Sequence, residues 1–341
     1  MPRLNTLQIW TVAALFVVGL CASVPASAQF GSPYVPQTTV GSSVDSITSA
    51  ITDVVREVLQ ARPVIDMKKV SLVNAVALGK TRGVRYRGIG KSRGVSKGSE
   101  RMVTGLSDGS VGLWDMTHGR ELKRLKGGHK GAVNAITISE AAGIAISVGK
   151  DGVSQVWKLA SGKKLARHPG AEKSGAAKAI VVSKNGKLAI TTYNNGTIHL
   201  WTVATGKLIR RMKAFRSSIQ ATTLRSKDTL VVAGSKDGKV SVWDVASGEK
   251  VLAFNAHKGG VSAIVSLKNE KHFASSGKDG LIRIWDLKSG DEIRKIKGHE
   301  EAILALAVSG KQTQLASGTK QGTVRVYDVK SGKLTKTYIR S

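Results

Sequence analysis

The sequence predicts an all-β fold, a six-bladed β-propeller, and three observations predict it. Trp114, Trp157, Trp201, Trp243, Trp285 and Tyr327 recur at spacings of 43, 44, 42, 42 and 42 residues. Five residues after each aromatic stands a glycine: Gly119, Gly162, Gly206, Gly248, Gly290 and Gly332. Six residues before each stands Asp108, Asp151, Asn195, Asp237, Asp279 or Gln321, every one followed by Gly, which is a hairpin signal. A fixed period of this length, closing on an aromatic, describes one repeated four-stranded blade.

The chain opens on a segment that reads as a secretory signal over residues 1–28. Arg3 supplies the positive start and Ile9 to Leu20 the apolar stretch. Pro25 then precedes Ala26-Ser27-Ala28, whose small residues fit a peptidase, so cleavage is expected after Ala28. The alternative is an uncleaved anchor, against which stand the shortness of the apolar run and Pro25. The signal implies a periplasmic or secreted protein. Cys21 is the single cysteine and lies within this signal, so the mature chain has no thiol for a disulfide or for catalysis.

Residues 29–43 are polar, carry Gly and Pro, and read as a tether. From 44 to 62 the period changes. Val44, Ile47, Ile51, Val54, Val55, Val58 and Leu59 fall on one face at helical spacing, Ser43 suits an N-cap, and Pro63 ends the run. This amphipathic helix is expected to pack on its own propeller. Dimerisation or docking on a membrane surface are the alternatives, and the mixed signs of Asp45, Asp53, Arg56, Glu57 and Arg62 weaken the membrane reading.

The propeller itself is expected over 65–341, beginning with an irregular blade. Val73-Asn74-Ala75-Val76 matches Val133-Asn134-Ala135-Ile136 sixty residues on, whereas the aromatic columns differ by 43, leaving about 17 extra residues in the first blade. The insertion, at 80–101, carries Arg82, Arg85, Tyr86, Arg87, Lys91, Arg93 and Lys97 among interleaved glycines, with Glu100 its one acid. Arginines suit bidentate contact with phosphate, sulfate or carboxylate, and Tyr86 could stack. The plainer alternative is a solvated surface loop. Gly90-Lys91-Ser92 looks like the end of a phosphate-binding loop, but Arg85 stands where the first Gly is required, and that reading is rejected.

Within the blades, Thr104, Ser147, Thr191, Ala233, Ser275 and Ser317 stand ten residues before the aromatics, with period-two alternation between, as in Val111-Gly112-Leu113. Asp follows the aromatic at Asp115, Asp244, Asp286 and Asp328. Over about four fifths of its length the chain here resembles the WD-repeat family. The resemblance implies a buried hydrogen-bonded set of His, Ser or Thr, Asp and Trp in each blade. Two blades carry it in full, His129, Ser147, Asp151 and Trp157, and His257, Ser275, Asp279 and Trp285. A third keeps His299 but has Gln321 and Tyr327, and the His column becomes Lys173 and Phe215 in two others. Such trios are expected to hold the fold rather than to catalyse, because they recur blade by blade. The family more often has seven blades, and a seventh stays open, although 29–64 is short and helical for another sheet. Residues 333–339 read as the outer strand of the last blade.

Charge bears on partners. Lys and Arg total 53 against 23 Asp and Glu, a net charge of +30, which favours an anionic partner. The residue before each hairpin Asp is Lys150, Lys236, Lys278 and Lys320, with Ser107 and Asn194 in the other blades. Equivalent turns share one face of a propeller, so these lysines are expected to ring one mouth, with Lys130, Lys258 and Arg216 in adjoining loops and Glu300 breaking the sign. Ordinary solvated charge is the alternative, since Lys163, Lys207 and Lys333 make the opposite turns basic too. His118, His168, His199 and His272 look scattered, each a surface or packing residue. No cofactor, metal or catalytic residue is expected. The function expected is a non-enzymatic cell-envelope scaffold for a protein partner, itself acidic. The alternative is a receptor for an anionic polymer such as nucleic acid, acidic glycan or lipopolysaccharide.

Overall fold

The computed structural model describes residues 73–80, 85–87, 93–95, 100–115, 120–125, 128–170, 175–225, 228–267, 271–309, 313–319 and 321–339. The expected signal, the tether and the 44–62 helix lie outside the described residues. The described chain forms six four-stranded antiparallel sheets, each a meander whose strands pair in sequence order, plus one two-stranded ribbon. The inner strands are Val73–Lys80, Val133–Ser139, Ala177–Val182, Ile219–Arg225, Val261–Ser266 and Ile303–Val308. The outer strands are Arg120–Leu125, Lys164–His168, Leu208–Lys213, Lys250–Asn255, Glu292–Lys297 and Leu334–Tyr338. These are the six blades that the aromatic columns predict. The inner strands of successive blades lie side by side from the first blade to the sixth.

The predicted hairpin glycines adopt the left-handed backbone that their turns require. The glycine three residues past each second strand, from Gly109 (φ 83°) to Gly322 (φ 84°), and the described glycines five residues after the aromatics, from Gly162 (φ 65°) to Gly332 (φ 74°), have positive φ. Every inner strand is bulged at its second residue, so that the register skips Asn74, Asn134, Lys178, Gln220, Ser262 and Leu304. A bulge re-aims the side chain it carries, and these six form one column near the axis.

The core is a series of seams between neighbouring blades rather than one central mass. Period-two alternation gives each blade two apolar faces, and each face closes on the next blade. Val103 and Leu113 meet Val133 and Trp157 across the first seam. Ile146 and Val156 meet Tyr193 and Trp201 across the second. Trp243, Trp285 and Tyr327 enter the next three in the same way, each packed against the blade before it. The turns after the aromatics follow the same rule: Gly162 sits against Leu125, Gly206 against Arg167, Gly248 against Arg210 and Gly290 against Phe254, all on the preceding outer strand.

The first blade carries its insertion between its first and second strands, where Arg85–Arg87 pairs with Arg93–Val95 as a short ribbon. Among the described residues no helix is long and apolar enough to cross a membrane.

Candidate functional site

Each blade is tied by a polar set whose members arrive from different strands. In the second blade His129 Nδ1 lies 3.0 Å from Asp151 Oδ1, His129 Nε2 lies 2.8 Å from Ser147 Oγ, and the Trp157 indole N–H donates to that hydroxyl at 2.9 Å. The fifth blade repeats this with His257, Asp279, Ser275 and Trp285, all at 2.8 Å. The carboxylate fixes the imidazole tautomer, with Nδ1 donating to Asp and Nε2 accepting from Ser. Burial alone would raise the Asp279 carboxyl, but hydrogen bonds from His257 and Arg283 hold it below its ordinary range.

Though it has the members of a hydrolytic triad, this arrangement is not placed to use them. Ser147 and Ser275 are both 0% exposed, and each hydroxyl is already occupied by a histidine and an indole. A nucleophile needs a face open to substrate and donors for an oxyanion. These sets hold the blades. Among the described residues no group of three His, Asp or Glu side chains is arranged to take a metal.

Blades that lack the full set find other partners. In the sixth, His299 keeps its bond to Ser317 at 2.8 Å, and the Tyr327 hydroxyl donates to the Gly298 carbonyl at 2.6 Å. In the fourth, Phe215 joins the apolar seam, and Asp237 takes hydroxyls from Ser217 and Ser235 instead of an imidazole. In the third, Ser154 of the neighbouring blade reaches the Thr191 hydroxyl at 3.0 Å, which also accepts from Trp201.

Two of the histidines expected to be scattered in fact meet. His168, on the outer strand of the second blade, has Nε2 3.2 Å from His199 Nδ1 of the third, and both are buried. The reason is registry: His199 stands two residues before its aromatic, a position that points back toward the preceding blade's outer strand. Burial, then His168 and Arg211, lower the His199 imidazole to about 4. His272 is half-buried, 3.6 Å from Asp286.

The basic residues gather differently. The backbone N–H of Lys150, Lys236 and Lys278 donates to the carbonyl of Ala132, Ser218 and Gly260, the residue just ahead of each blade's own inner strand. Asn194 does the same to Ala176. Repeated hydrogen bonding of this kind fixes all four turns at the end where the inner strands begin, which is one mouth of the propeller. The loops that lead into each blade reach the same end, since His129, Phe215 and His257 donate their N–H to Gly109, Gly196 and Gly238 of the preceding blade's turn. Lys130, Arg216 and Lys258 follow directly in those loops, and all six basic side chains are exposed. Lys320 lies outside the described residues.

Sequence reasoning missed the residue at the centre. Lys178 is the bulged position of the third inner strand, next to the Asn194 turn and half-buried. Burial, then the charges of Lys236 and Lys150, lower its ammonium below the ordinary lysine range. Three cationic side chains from three blades therefore converge at one mouth, and the local potential there is positive.

The basic insertion is only partly described. Arg82, Lys91 and Lys97 lie outside the described residues, while Arg85, Tyr86 and Arg87 face Val95, Gly94 and Arg93 in register across the ribbon.

Comparison with known proteins fits this geometry. Residues 127–337 match the NWD2 C-terminal β-propeller family. The chain belongs to this WD-repeat propeller family. A stretch of 64 residues is 39% identical to the small ribosomal subunit protein RACK1y of Oryza sativa subsp. japonica, covering 19% of each chain. The chain thus spans about a fifth of that curated relative at 19% of its length. Among solved structures, the computationally designed Ika8 protein is similar with a TM-score of 0.63 and 27% sequence identity, over 79% of this chain and 74% of that one. WD-repeat propellers are typically protein-binding scaffolds rather than enzymes, and the lysine mouth of this WD-repeat propeller joins hairpin turns and inter-blade loops to the bulged start of an inner strand.

Proposed function

We propose that this WD-repeat protein is a non-enzymatic scaffold, exported to the cell envelope or beyond, that seats an acidic segment of a protein partner on its lysine mouth. The observation that carries the reading is the convergence of Lys150, Lys178 and Lys236 from three blades on one mouth. A rigid frame holds these charges together before a partner arrives, so little ordering is left to oppose binding. Carboxylates of an acidic segment would relieve the mutual repulsion of the ammonium groups. Export is supported by the signal-like run at residues 1–28.

A second reading rests on the net charge of +30, with basic turns at the opposite rim and a basic insertion as well. It is a receptor for an anionic polymer, which would touch many lysines and not one mouth.

One experiment separates the two. The mature protein and its Lys178→Glu variant are used to capture partners from envelope extract, with washes at low and high salt. A stoichiometric protein that survives high salt and is lost with Lys178→Glu supports the scaffold. Nucleic acid or glycan that elutes steeply with salt, and is held equally by the variant, supports the polymer reading.

A further inference from the structure

The turn of the sixth blade lacks a carboxylate that its neighbouring donors are arranged to receive. In the fifth blade Asp279 accepts from His257 Nδ1 at 2.8 Å and from Arg283 Nη1 at 2.9 Å, while Arg283 Nε pairs with Glu292 at 2.7 Å. In the fourth, Asp237 accepts from the hydroxyl of Ser235, which stands eight residues before its aromatic. Imidazole, guanidinium and hydroxyl are thus the donors that this column of acids draws on.

In the sixth blade the acids are gone and the donors remain. Gln321 stands in the column of Asp279, and Leu334 faces Tyr327 where Glu292 faces Trp285. Arg325 Nη1 still donates to the Gly298 carbonyl at 2.7 Å, as Arg283 does to Ala256, but its Nε is buried with no hydrogen-bond partner. His299 keeps Ser317 on Nε2 at 2.8 Å, which leaves Nδ1, the atom that meets Asp in the complete blades. Thr319 stands in the Ser235 column and is 4% exposed, and its hydroxyl also has no partner. Gln321 itself is exposed, and it leaves Thr319 and the Arg325 Nε unpaired. Buried donors without an acceptor are costly, so the cluster favours whatever supplies one.

We propose that the sixth blade takes this carboxylate from outside the chain. An Asp or Glu side chain of the acidic partner segment enters beside the Gln321 turn and accepts from His299 Nδ1, the Thr319 hydroxyl and Arg325. This rests on the scaffold reading and gives the same partner a second anchor, apart from the lysines of the second, third and fourth blades. The acceptor position can be reached from solvent, because Asp151 and Asp279 keep 12% and 10% of their side chains exposed. It also opens at the same mouth, since the His299 N–H donates to the Gly280 carbonyl at 2.9 Å as His257 does to Gly238. Glu300 and Glu301 follow His299 in that loop, and their charge suits a single carboxylate better than a crowded polyanion.

The test uses the mature protein with ¹⁵N-labelled histidines, titrated at low salt with a blocked peptide of alternating serine and glutamate. The peptide is expected to move the His299 imidazole signals saturably. Thr319→Val should leave the melting temperature unchanged or higher, because an unpaired hydroxyl adds nothing to the free fold. The same variant should weaken the peptide about tenfold, the weight of one charge-assisted hydrogen bond. Gln321→Asp returns an acid to the turn, and is expected to raise the melting temperature by about 2–4 °C and to leave His299 unmoved by peptide. Lys178→Glu should weaken the peptide as well, while His299 still shifts in the complex that forms. If only Lys178→Glu weakened binding, the lysine mouth would stand and this anchor would fall. Peptide bound with His299 unmoved in the unsubstituted protein, or a lower melting temperature in Gln321→Asp, would also overturn it. No binding at all would overturn the anchor and the acidic-partner reading together.

Discussion

The imidazole of His168 lies flat against the indole of Trp201, 5.1 Å between ring centroids and 8° from parallel. The two residues belong to different blades, and His168 Nδ1 meanwhile reaches the Gly206 carbonyl at 3.0 Å in the turn just past that tryptophan. His199 and Tyr193 complete the cluster, their rings 4.5 Å apart. This seam thus adds two imidazoles and a phenol to the indole that each seam carries, and it depends on imidazoles that stay neutral.

That dependence sets a pH response. His199 and His299 are each lowered to about 4, His199 by burial, then His168 and Arg211, and His299 by burial and then Arg325. His168 and His257 are lowered as well, chiefly by burial. The unfolded chain, with imidazoles near 6.5, takes up protons first, so the stabilisation is complete above that value and lost as pH falls from 6.5 toward 4. The loss reaches about 1.4 kcal/mol per pH unit for each such group. A melting temperature that is flat above pH 7 and falls steadily from 6.5 to 4 is expected in a thermal series. Equal values at pH 7 and pH 4.5 would show that these imidazoles bind protons within the fold.

The blade sets make a graded prediction at Trp285. Trp285→Phe removes the 2.8 Å bond to Ser275 and part of the ring that fills the seam, and is expected to cost about 1–2 kcal/mol in urea unfolding. Trp285→Ala also empties the seam against the fourth blade and is expected to cost about 3–5 kcal/mol. If both were neutral, the assignment of this column to the inter-blade core would fall.

Gly238 tests the contact between turns and loops. It has φ +88°, and a Cβ there would collide with the carbonyl oxygen of His257. Its own carbonyl accepts from Ala256 at 2.8 Å and His257 at 3.0 Å. Gly238→Ala is expected to lower the melting temperature by several degrees, whereas Lys236→Ala next to it leaves the temperature unchanged.

The insertion predicts the opposite behaviour. Among the described elements the ribbon Arg85–Arg87 with Arg93–Val95 packs strand on strand and contributes to none of the inter-blade seams. Deleting 83–98 should leave the melting temperature nearly unchanged, and a collapse would assign the ribbon a structural role.

The blades were legible because turn geometry forces the same residue type at the same place each time. Gly196 and Gly238 need positive φ, and the aromatics need a seam of fixed width, so period alone reveals them. Lys178 was not legible, because its column reads Asn74, Asn134, Lys178, Gln220, Ser262 and Leu304, and a bulge sets a direction without demanding a side chain. The His168–His199 contact was hidden for another reason: it joins residues of two blades, and reading one repeat against the next does not show which positions touch across a seam. The lysines of the hairpin turns were visible as a column, but which cation stands at the centre of their mouth needed the third dimension.

Because each aromatic and each following turn rests on the blade before it, the propeller has a polarity that a stack of equivalent plates would lack. Gly332 sits against Arg294 of the fifth blade, whereas the corresponding Gly290 of the fifth sits against Phe254 of the fourth. A protein synthesised from its N-terminus therefore always presents a finished template to the blade emerging next, and assembly can advance in step with translation. Truncation from the C-terminal end should shed whole modules and leave their predecessors seated, whereas damage near the start would deprive every later module of the surface on which it is moulded.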